Sequence, residues 1–417
     1  MTRYLAVLRH NRNFRRLWYG QVVSQLGDWL DSIALFTLLL SLTDSRQALG
    51  LLLLAEFLPG ALVGPFAGVL VDRLPRKLVL IGSDLARAAL VLLLLFVNSP
   101  DQLWLLYSVV IAKVSMAAFF EPARAAILPS LCAREDLVAA NAISGATWSA
   151  MLALGAALGG LVAGTLGTTA AFVLDSATFV LSAVLLATIR MPKQADQPVP
   201  TTQPGAQARP AVNPLAQVLG ELREGFGYVR AHHQVFWLTF SKALWSIGGG
   251  VLLLLTLYGR ELFPLGRDAA ISIGLLYAAR GVGTGIGPFV ALRFGGDGSR
   301  YLRRAVIVAF FITGIGYLAL SGATTLALAA LAVLFAHTGG SVQWVFSTAL
   351  LQARVPDRLL GRVFATEYAA LTLTTALSAY LTGVVADLGA TPQQLAVGLG
   401  LIFFASGAIM FAALWRE

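Results

Sequence analysis

Several ionisable side chains lie inside stretches of sequence that are otherwise apolar, among them Asp28, Asp31, Glu56, Lys113, Lys242, Arg280 and Glu367. A charged group inside hydrocarbon is costly, so each residue is a functional candidate. At a rise of about 1.5 Å per helical residue, Asp31 and Glu56 come to nearly the same depth. Two neighbouring carboxylates in a low dielectric resist double ionisation, so one of them holds a proton. We therefore predict proton-handling carboxylates at Asp31 and Glu56, with Asp28 and Glu367 as further candidates. The alternative is that these acids and bases form structural pairs across helices.

The three basic residues of this set and four aromatic residues are suited to contact a bulky ligand. Lys113 and Lys242 lie at similar depths, and Arg280 lies midway along its apolar stretch. The candidate aromatic residues are Trp148, Trp245, Trp344 and Tyr368. We predict that these seven residues line a substrate cavity, although ordinary packing is the alternative for each aromatic side chain.

The sequence offers no chemistry for an enzyme. It contains neither a cluster of metal ligands nor a nucleophile with a nearby base, so we expect no metal, no cofactor and no catalytic residue. The phosphate-binding pattern Gly-x-x-x-x-Gly-Lys-Ser/Thr is also missing, because the four lysines are followed by Leu, Val, Gln and Ala. These features argue against a pump driven by ATP.

The elements that position these residues are membrane spans. Of the 417 residues 57% are hydrophobic and only 12% are charged, about half the charge of a typical soluble protein. Twelve apolar runs are each long enough to cross about 30 Å of hydrocarbon as a helix. We place them at about 17–41, 48–71, 78–97, 102–121, 138–164, 169–189, 235–258, 270–292, 304–321, 325–349, 362–386 and 394–414. The predicted class is an all-α integral membrane protein.

The distribution of positive charge predicts the orientation. If the amino terminus is cytoplasmic, 23 of the 30 Lys and Arg residues fall on cytoplasmic segments. Such a bias places both termini inside the cell. The net charge of +9 is thereby explained by short loops, and we expect no nucleic-acid partner. The single cysteine, Cys132, excludes an intramolecular disulfide.

A central segment divides the chain into two halves. Residues 191–214 hold six prolines among Gln, Ala and Thr, which is typical of a flexible linker, and an amphipathic surface helix is predicted directly after it. The predicted domains are a six-helix bundle over 1–190, the linker and surface helix over 191–233, and a second six-helix bundle over 234–417. Gly64-Pro65-Phe66 recurs as Gly287-Pro288-Phe289, which supports a parallel duplication of six spans.

The charged turn after the second span carries a recognisable pattern. Gly68-x-x-x-Asp72-Arg73-x-x-Arg76-Lys77 resembles the signature loop of the major facilitator superfamily, with Pro75 where that family usually has glycine. The resemblance, together with the twelve spans, implies the major facilitator fold. We predict that Asp72 accepts the unpaired N–H groups at the start of the eleventh span, forming a conformational switch. The alternative is that Asp72 only neutralises Arg73 and Arg76.

Finer patterns resemble the branch of that superfamily formed by bacterial exporters, which includes the enterobactin and macrolide efflux proteins. They include Asp84-Leu85-Ala86-Arg87-Ala88 and Val355-Pro356-Asp357-x-x-x-Gly361-Arg362. In the fifth span Gly155, Gly159 and Gly160 resemble the antiporter motif of drug/proton exchangers. Ordinary packing of small residues is the alternative for these glycines.

The resemblance implies a secondary transporter that exports an amphiphilic small molecule (a drug, a macrolide or a siderophore) against proton entry. Alternating access would come from rocking of the two bundles. The alternatives are a lysophospholipid or lipid flippase of the same fold, and a non-transporting membrane receptor. We expect a monomer in the bacterial inner membrane, with its substrate, protons and membrane lipids as partners.

Overall fold

The structure, a computed structural model, describes residues 7–71, 74–133, 136–191, 214–296 and 298–415. Within these ranges the chain is helical apart from short connections, and no β-strand occurs. Twelve of the described stretches are long and apolar enough to cross a membrane. The predicted all-α class and the twelve spans are therefore confirmed.

The first six spans are one helix each, two of them flanked by a short 3₁₀ turn. They are α1 (Arg12–Thr43), α2 (Arg46–Val71), α3 (Arg76–Leu93), α4 (Leu103–Leu131), α5 (Leu137–Leu166) and α6 (Thr168–Ala187). The predicted end of the fourth span near residue 121 is wrong, since α4 continues to Leu131. Glu121 and Arg124 form an ion pair of 2.8 Å one turn apart, so these charges are accommodated on the helix surface instead of ending it.

The other six spans follow a surface helix, α7 (Pro214–Ala231). They comprise α8 (His233–Ser246), α9 (Val251–Leu257), α10 (Ala270–Gly295), α11 (Ser299–Ser321), α12 (Leu326–Arg354), α13 (Asp357–Asp387) and α14 (Pro392–Leu414). Glu224 on α7 forms an ion pair with Arg362 on α13. A Cβ at Gly225 would lie 2.8 Å from the Cβ of Arg362, so glycine permits this close approach. The predicted linker falls on residues 192–213, which lie outside the described residues.

The seventh span is interrupted between α8 and α9. Gly248, Gly249 and Gly250 follow one another at this point, and the missing side chains leave room for neighbouring helices. Interrupted backbone inside a membrane needs other hydrogen-bond partners. Ser378 of α13 provides them, because its hydroxyl donates to the carbonyl of Ile247 at 2.5 Å and accepts from the N–H of Gly250 at 3.3 Å. Side chains of α13 therefore stabilise the break.

The chain forms two compact units that do not follow its two halves. The first comprises Met1–Asp28, Pro59–Trp148 and Phe172–Gly220, and the second comprises Trp29–Leu58, Ser149–Ala171 and Glu221–Glu417. In the second unit, parts of α1, α2 and α5 therefore pack with the last six spans. The division at 1–190, 191–233 and 234–417 stays a prediction.

Candidate functional site

A buried ion pair joins two of the predicted site residues in the second unit. Lys242 of α8 donates to Glu367 of α13 at 3.0 Å and to the hydroxyl of Thr348 at 2.8 Å. The two charged side chains are only 4% and 6% exposed. The ammonium group also lies 4.5 Å from the ring centre of Trp344, a cation–π distance. The structure thus brings together a predicted proton carrier and two predicted cavity residues, and the mutual pairing favours the structural alternative for Lys242 and Glu367.

Arg280 lies among aromatic residues and has a different environment. Its charge interacts with the side chains of Tyr277, Tyr317 and His337. Tyr317 and His337 share a hydrogen bond of 2.8 Å between the hydroxyl and Nε2. Among the described residues, the buried Nε of Arg280 has no hydrogen-bond partner. The side chain of Arg280 is half-buried, and the charge of Glu56 also acts on the neighbouring Tyr277.

The carboxylates predicted to carry the proton occupy different environments. Asp31 on α1 is completely buried, whereas Glu56 on α2 is half-buried. Both belong to the second unit, and both engage in interactions with other groups. Their shared proton stays a prediction.

Asp28 belongs to a charge cluster of the first unit. Its carboxylate lies 3.5 Å from the guanidinium of Arg87, which also pairs with Asp84 one turn away. The guanidinium stacks on Phe120 and Phe179, with its carbon 4.9 Å and 4.2 Å from the two ring centres. The guanidinium of Arg87, held between two rings and two carboxylates, serves packing. Because Asp28 is one of these carboxylates, its pairing weakens the case for Asp28 as a proton carrier.

The other predicted cavity residues differ in burial. Lys113 is buried on α4, while Trp245 is half-buried on α8. Trp148, Trp344 and Tyr368 are exposed, so each presents aromatic surface outside the protein core. Their role in a substrate cavity stays a prediction.

The predicted switch loop is only partly described. Asp72 and Arg73 lie outside the described residues, and Gly68 lies within α2. Arg76 donates to the carbonyl of Ala126 at 2.9 Å, and Lys77 donates to the carbonyl of Ile189 at 2.7 Å. Lys77 thus binds carbonyls just beyond the carboxyl end of α6, where a helix favours positive charge. The two bases fasten the start of α3 to α4 and to the end of α6.

The glycines of the fifth span are sites of close helix packing. A Cβ at Gly155 would lie 2.8 Å from the Cβ of Trp29, and one at Gly159 would lie 2.9 Å from the carbonyl oxygen of Trp29. A Cβ at Gly160 would lie 2.8 Å from the Cα of Gly274 on α10. Because such distances exclude any side chain, α5 contacts α1 and α10 backbone to backbone. This geometry agrees with the packing alternative and leaves the antiporter motif a resemblance.

Sequence reasoning missed a network of charges at helix ends in the second unit. Its members are Asp44, Arg46, Arg260, Glu261 and Asp387, and we call it the end-charge network. Arg46 binds Glu261 through two parallel hydrogen bonds of 2.8 Å and 2.7 Å, and Arg260 binds Asp44 at 2.9 Å. The only sequence signal was the position of these charges at the ends of spans, because their partners are more than 200 residues apart.

Asp387 completes the network by capping α2. Its carboxylate accepts the backbone N–H groups of Arg46 and Gln47 at 2.9 Å each, and the hydroxyl of Ser45 at 2.9 Å. The first N–H groups of a helix lack partners within the helix, and a carboxylate there also meets the positive end of the helix dipole. The end of α13 is therefore fastened to the start of α2.

Comparison with known proteins agrees with this architecture. The sequence profile of the Major Facilitator Superfamily matches residues 17–366. Macrolide efflux protein A of Streptococcus pyogenes is 27% identical over 388 residues, covering 90% of this chain and 89% of that protein. The putative bacilysin exporter BacE of Bacillus amyloliquefaciens is 25% identical over 376 residues, covering 89% of this chain and 88% of that protein. An uncharacterized MFS-type transporter, YkuC of Bacillus subtilis, is 29% identical over 45% of this chain and 44% of its own length.

Solved structures share the fold at low sequence identity. A bacterial homolog of the human lysosomal transporter Spinster superposes with a TM-score of 0.75 at 16% identity, covering 97% of each chain. The nucleoside transporter NupG superposes with a TM-score of 0.71 at 13% identity, covering 97% of this chain and 99% of that one. With a family match over most of its length and twelve helices able to span a membrane, the chain belongs to the Major Facilitator Superfamily and is a multi-pass membrane transporter with efflux proteins among its relatives.

Proposed function

We propose that the protein exports an amphiphilic small molecule across the bacterial inner membrane, driven by proton entry, through alternating access. Two relatives that align over about nine tenths of the chain are named as an efflux protein and as a putative exporter. Both come from bacteria. The excess of Lys and Arg on one set of loops supports cytoplasmic termini.

The observation that carries alternating access is the end-charge network. It connects the turn between α1 and α2 to the ends of the seventh and eleventh spans, which come from the other half of the sequence. The positive-inside distribution puts these turns on the outer side. An exporter must open this side to release its substrate, so the ion pairs and hydrogen bonds of the network must break in that step.

The strength of the closure suits a reversible step. The side chains of Arg46 and Glu261 are 28% and 27% exposed, and Asp44 is almost fully exposed. Exposed ion pairs contribute about 0–1 kcal/mol each. Differences in substrate and proton binding between two conformations are large enough to offset contacts of this size. We therefore take the network to stabilise the outward-closed state without fixing it permanently.

Proton entry supplies the driving force in this proposal. One charge crossing a potential of 100 mV releases about 2.3 kcal/mol. Asp31 and Glu56 are the preferred carriers, because both lie within spans of the second unit and Asp31 is fully buried.

Transport into inverted membrane vesicles tests the proposal. A pH gradient is imposed across vesicles that contain the full chain. The vesicles are then supplied with a panel of cationic, neutral and acidic amphiphiles, macrolides and siderophores. We expect uptake of at least one class that collapses when a protonophore removes the gradient. Uptake that is independent of the pH gradient would contradict proton coupling. Movement of a fluorescent lysophospholipid alone would replace export of small molecules with lipid transport.

A further inference from the structure

Three arginines line a cleft at the point where the first span begins and the sixth span ends. The cleft has a volume of about 730 Å³ and belongs to the first unit. Arg12 and Arg16 line it from the start of α1 (Arg12–Thr43), and Arg190 lines it from just beyond the end of α6 (Thr168–Ala187). Because a span ends where the hydrocarbon ends, these side chains lie at the depth of the lipid headgroups.

The cleft carries an excess of positive charge. Among the described residues it is also lined by one acid, Asp136, and by His10, and both of these interact with other groups. With His10 neutral, three arginines against one carboxylate leave a net charge of +2. Residues 134 and 135, an arginine and a glutamate outside the described residues, add no net charge. The side chains of Arg12 and Arg190 are exposed, so the excess charge is accessible to an anion.

Hydrogen bonds between the two spans hold the walls of the cleft together. The side-chain amide of Asn13 donates to the carbonyl of Arg190 at 2.8 Å, and its oxygen accepts the N–H of Arg190 at 3.2 Å. Arg16 donates to the carbonyl of Thr188 at 2.5 Å. The backbone segments that carry the three arginines are therefore fixed relative to one another. A site arranged in advance loses less conformational entropy when a ligand binds.

Exposed apolar side chains begin next to the cleft, on the side of the hydrocarbon. The two spans pack closely there, since a Cβ at Gly20 of α1 would lie 3.2 Å from the hydroxyl of Ser182 of α6. Tyr19, one turn after Arg16, is exposed, and so is Val184 on α6, within about two helical turns of the cleft. Tyrosine is typical of the boundary between headgroups and hydrocarbon. A charged headgroup site and a surface for acyl chains are thus continuous.

We propose that this cleft binds the phosphate of an anionic phospholipid, whose acyl chains lie along the exposed faces of α1 and α6. The guanidinium fork matches the oxygens of a phosphate, and basic pockets between transmembrane helices suit anionic headgroups. A free phosphate offers the same oxygens but has no chains for the apolar surface. A zwitterionic lipid brings an ammonium group that the excess positive charge repels. With the orientation proposed above, the bound lipid belongs to the cytoplasmic leaflet.

Binding of two lipids with the same chains tests the inference. The purified full chain in detergent is titrated with dioleoylphosphatidylglycerol and, separately, with dioleoylphosphatidylcholine, and native mass spectrometry measures the first lipid bound. Each arginine near an anionic group contributes about fivefold to affinity. We therefore expect the wild type to prefer phosphatidylglycerol by about 30-fold or more. Arg12→Gln/Arg190→Gln should weaken binding of phosphatidylglycerol by about 30-fold and leave phosphatidylcholine within about twofold.

Three comparisons distinguish a lipid site from other causes. Arg12→Lys/Arg190→Lys keeps the charge but loses the fork, so we expect an intermediate affinity for phosphatidylglycerol. Arg223→Gln/Arg230→Gln removes the same charge from two exposed arginines of α7 and should leave both affinities unchanged. Glycerophosphoglycerol, which is the headgroup without chains, and inorganic phosphate should not displace the lipid when each is added at the lipid's concentration. The temperature of unfolding in lipid-free detergent should be the same in all variants, because the altered side chains are exposed.

Three outcomes would overturn the lipid site. They are equal affinities of the wild type for the two lipids, an unchanged preference in Arg12→Gln/Arg190→Gln, and an equal loss in Arg223→Gln/Arg230→Gln, which would mean that overall charge attracts the lipid. Displacement by glycerophosphoglycerol or by inorganic phosphate would assign the cleft to a soluble phosphate instead. If the double variant does not fold, Arg190→Gln alone should still weaken binding of phosphatidylglycerol about fivefold. These measurements need no transported substrate, so their result is independent of the export function.

Discussion

The carboxylate of Asp387 accepts the backbone N–H of Arg46 at 2.9 Å, although the two residues are 341 positions apart in the chain. A residue at the end of α13 thus acts as the cap of α2, and the side chain of Arg46 returns a hydrogen bond of 2.8 Å to the carbonyl of Ala386. This is the type of contact that we predicted for Asp72 and the start of the eleventh span, here formed with α2 as the capped helix. The observed contact couples the start of α2 to a carboxylate from the other half of the sequence.

Replacement of Asp387 should favour the state in which these helix ends are apart. Asp387→Asn keeps a capping oxygen but loses the negative charge, which contributes about 0.3–1 kcal/mol at a helix N-terminus, so it should raise the ratio of open to closed molecules about two- to fivefold. Spin labels at Ser41→Cys and Leu388→Cys, in a Cys132→Ala background, allow the distance distribution to be measured by double electron–electron resonance. Asp101→Asn, which changes an exposed acid of another turn, is the control. An unchanged distribution in Asp387→Asn would show that the cap has no influence on closure.

Removing one charge of the Lys242–Glu367 pair should destabilise the protein more than removing both charges. Either Glu367→Gln or Lys242→Met leaves a buried charge unpaired, which costs about 3–5 kcal/mol. The double variant Lys242→Met/Glu367→Met should recover most of this loss, because both charges are then absent. Chemical unfolding in detergent measures the three effects. Glu121→Gln, which breaks an exposed pair, should cost less than about 1 kcal/mol. A single variant as stable as the wild type would mean that the pair carries no charge.

Asp31→Asn and Glu56→Gln, tested separately, should each abolish uphill export driven by the pH gradient. The reason is that two carboxylates in a low dielectric share a proton, and neither amide can release one. Substrate binding and downhill exchange should persist, as measured by ligand titration and by counterflow in proteoliposomes. Asp175→Asn is the matched control, since Asp175 is likewise fully buried but lies on α6. If both variants concentrate substrate at the wild-type rate, the coupling proton is carried elsewhere, and Glu367 and Asp28 are tested next.

The thiol of Cys132 should react slowly with maleimides. Burial, with the negative charge of Asp136 as a second cause, raises the pKa of this thiol to about 11 from an ordinary value near 9.0. At about pH 7.5 the reactive thiolate is therefore about 100-fold rarer than in a free thiol, and the rate should rise about tenfold per pH unit until the pKa is reached. The measurement is the labelling rate as a function of pH, compared with Asn98→Cys in a Cys132→Ala background. Equal rates for the two cysteines at neutral pH would contradict the raised pKa.

Much of the architecture was predictable from residue order alone. Each crossing of the membrane needs about 20 apolar residues in a row, so the spans can be read directly from the chain. The same reasoning misplaced the end of α4, because Glu121 and Arg124 neutralise each other on one helix turn. It also missed the break in the seventh span, although Gly248, Gly249 and Gly250 mark it in the sequence. Hydropathy reports the length of an apolar segment and is insensitive to the backbone within it.

The sequence by itself determined which ionisable residues lie within the spans and on which segments the positive charges fall, since both depend only on neighbours along the chain. Only the tertiary structure decided how those residues are paired. Lys242 meets Glu367 across 125 positions, and Arg46 meets Asp387 across 341. The reason is that a helix side chain finds its partner through the rotation of its helix and the choice of neighbouring helices. Close contacts such as that of Gly160 with Gly274 set that packing, and no local pattern specifies it.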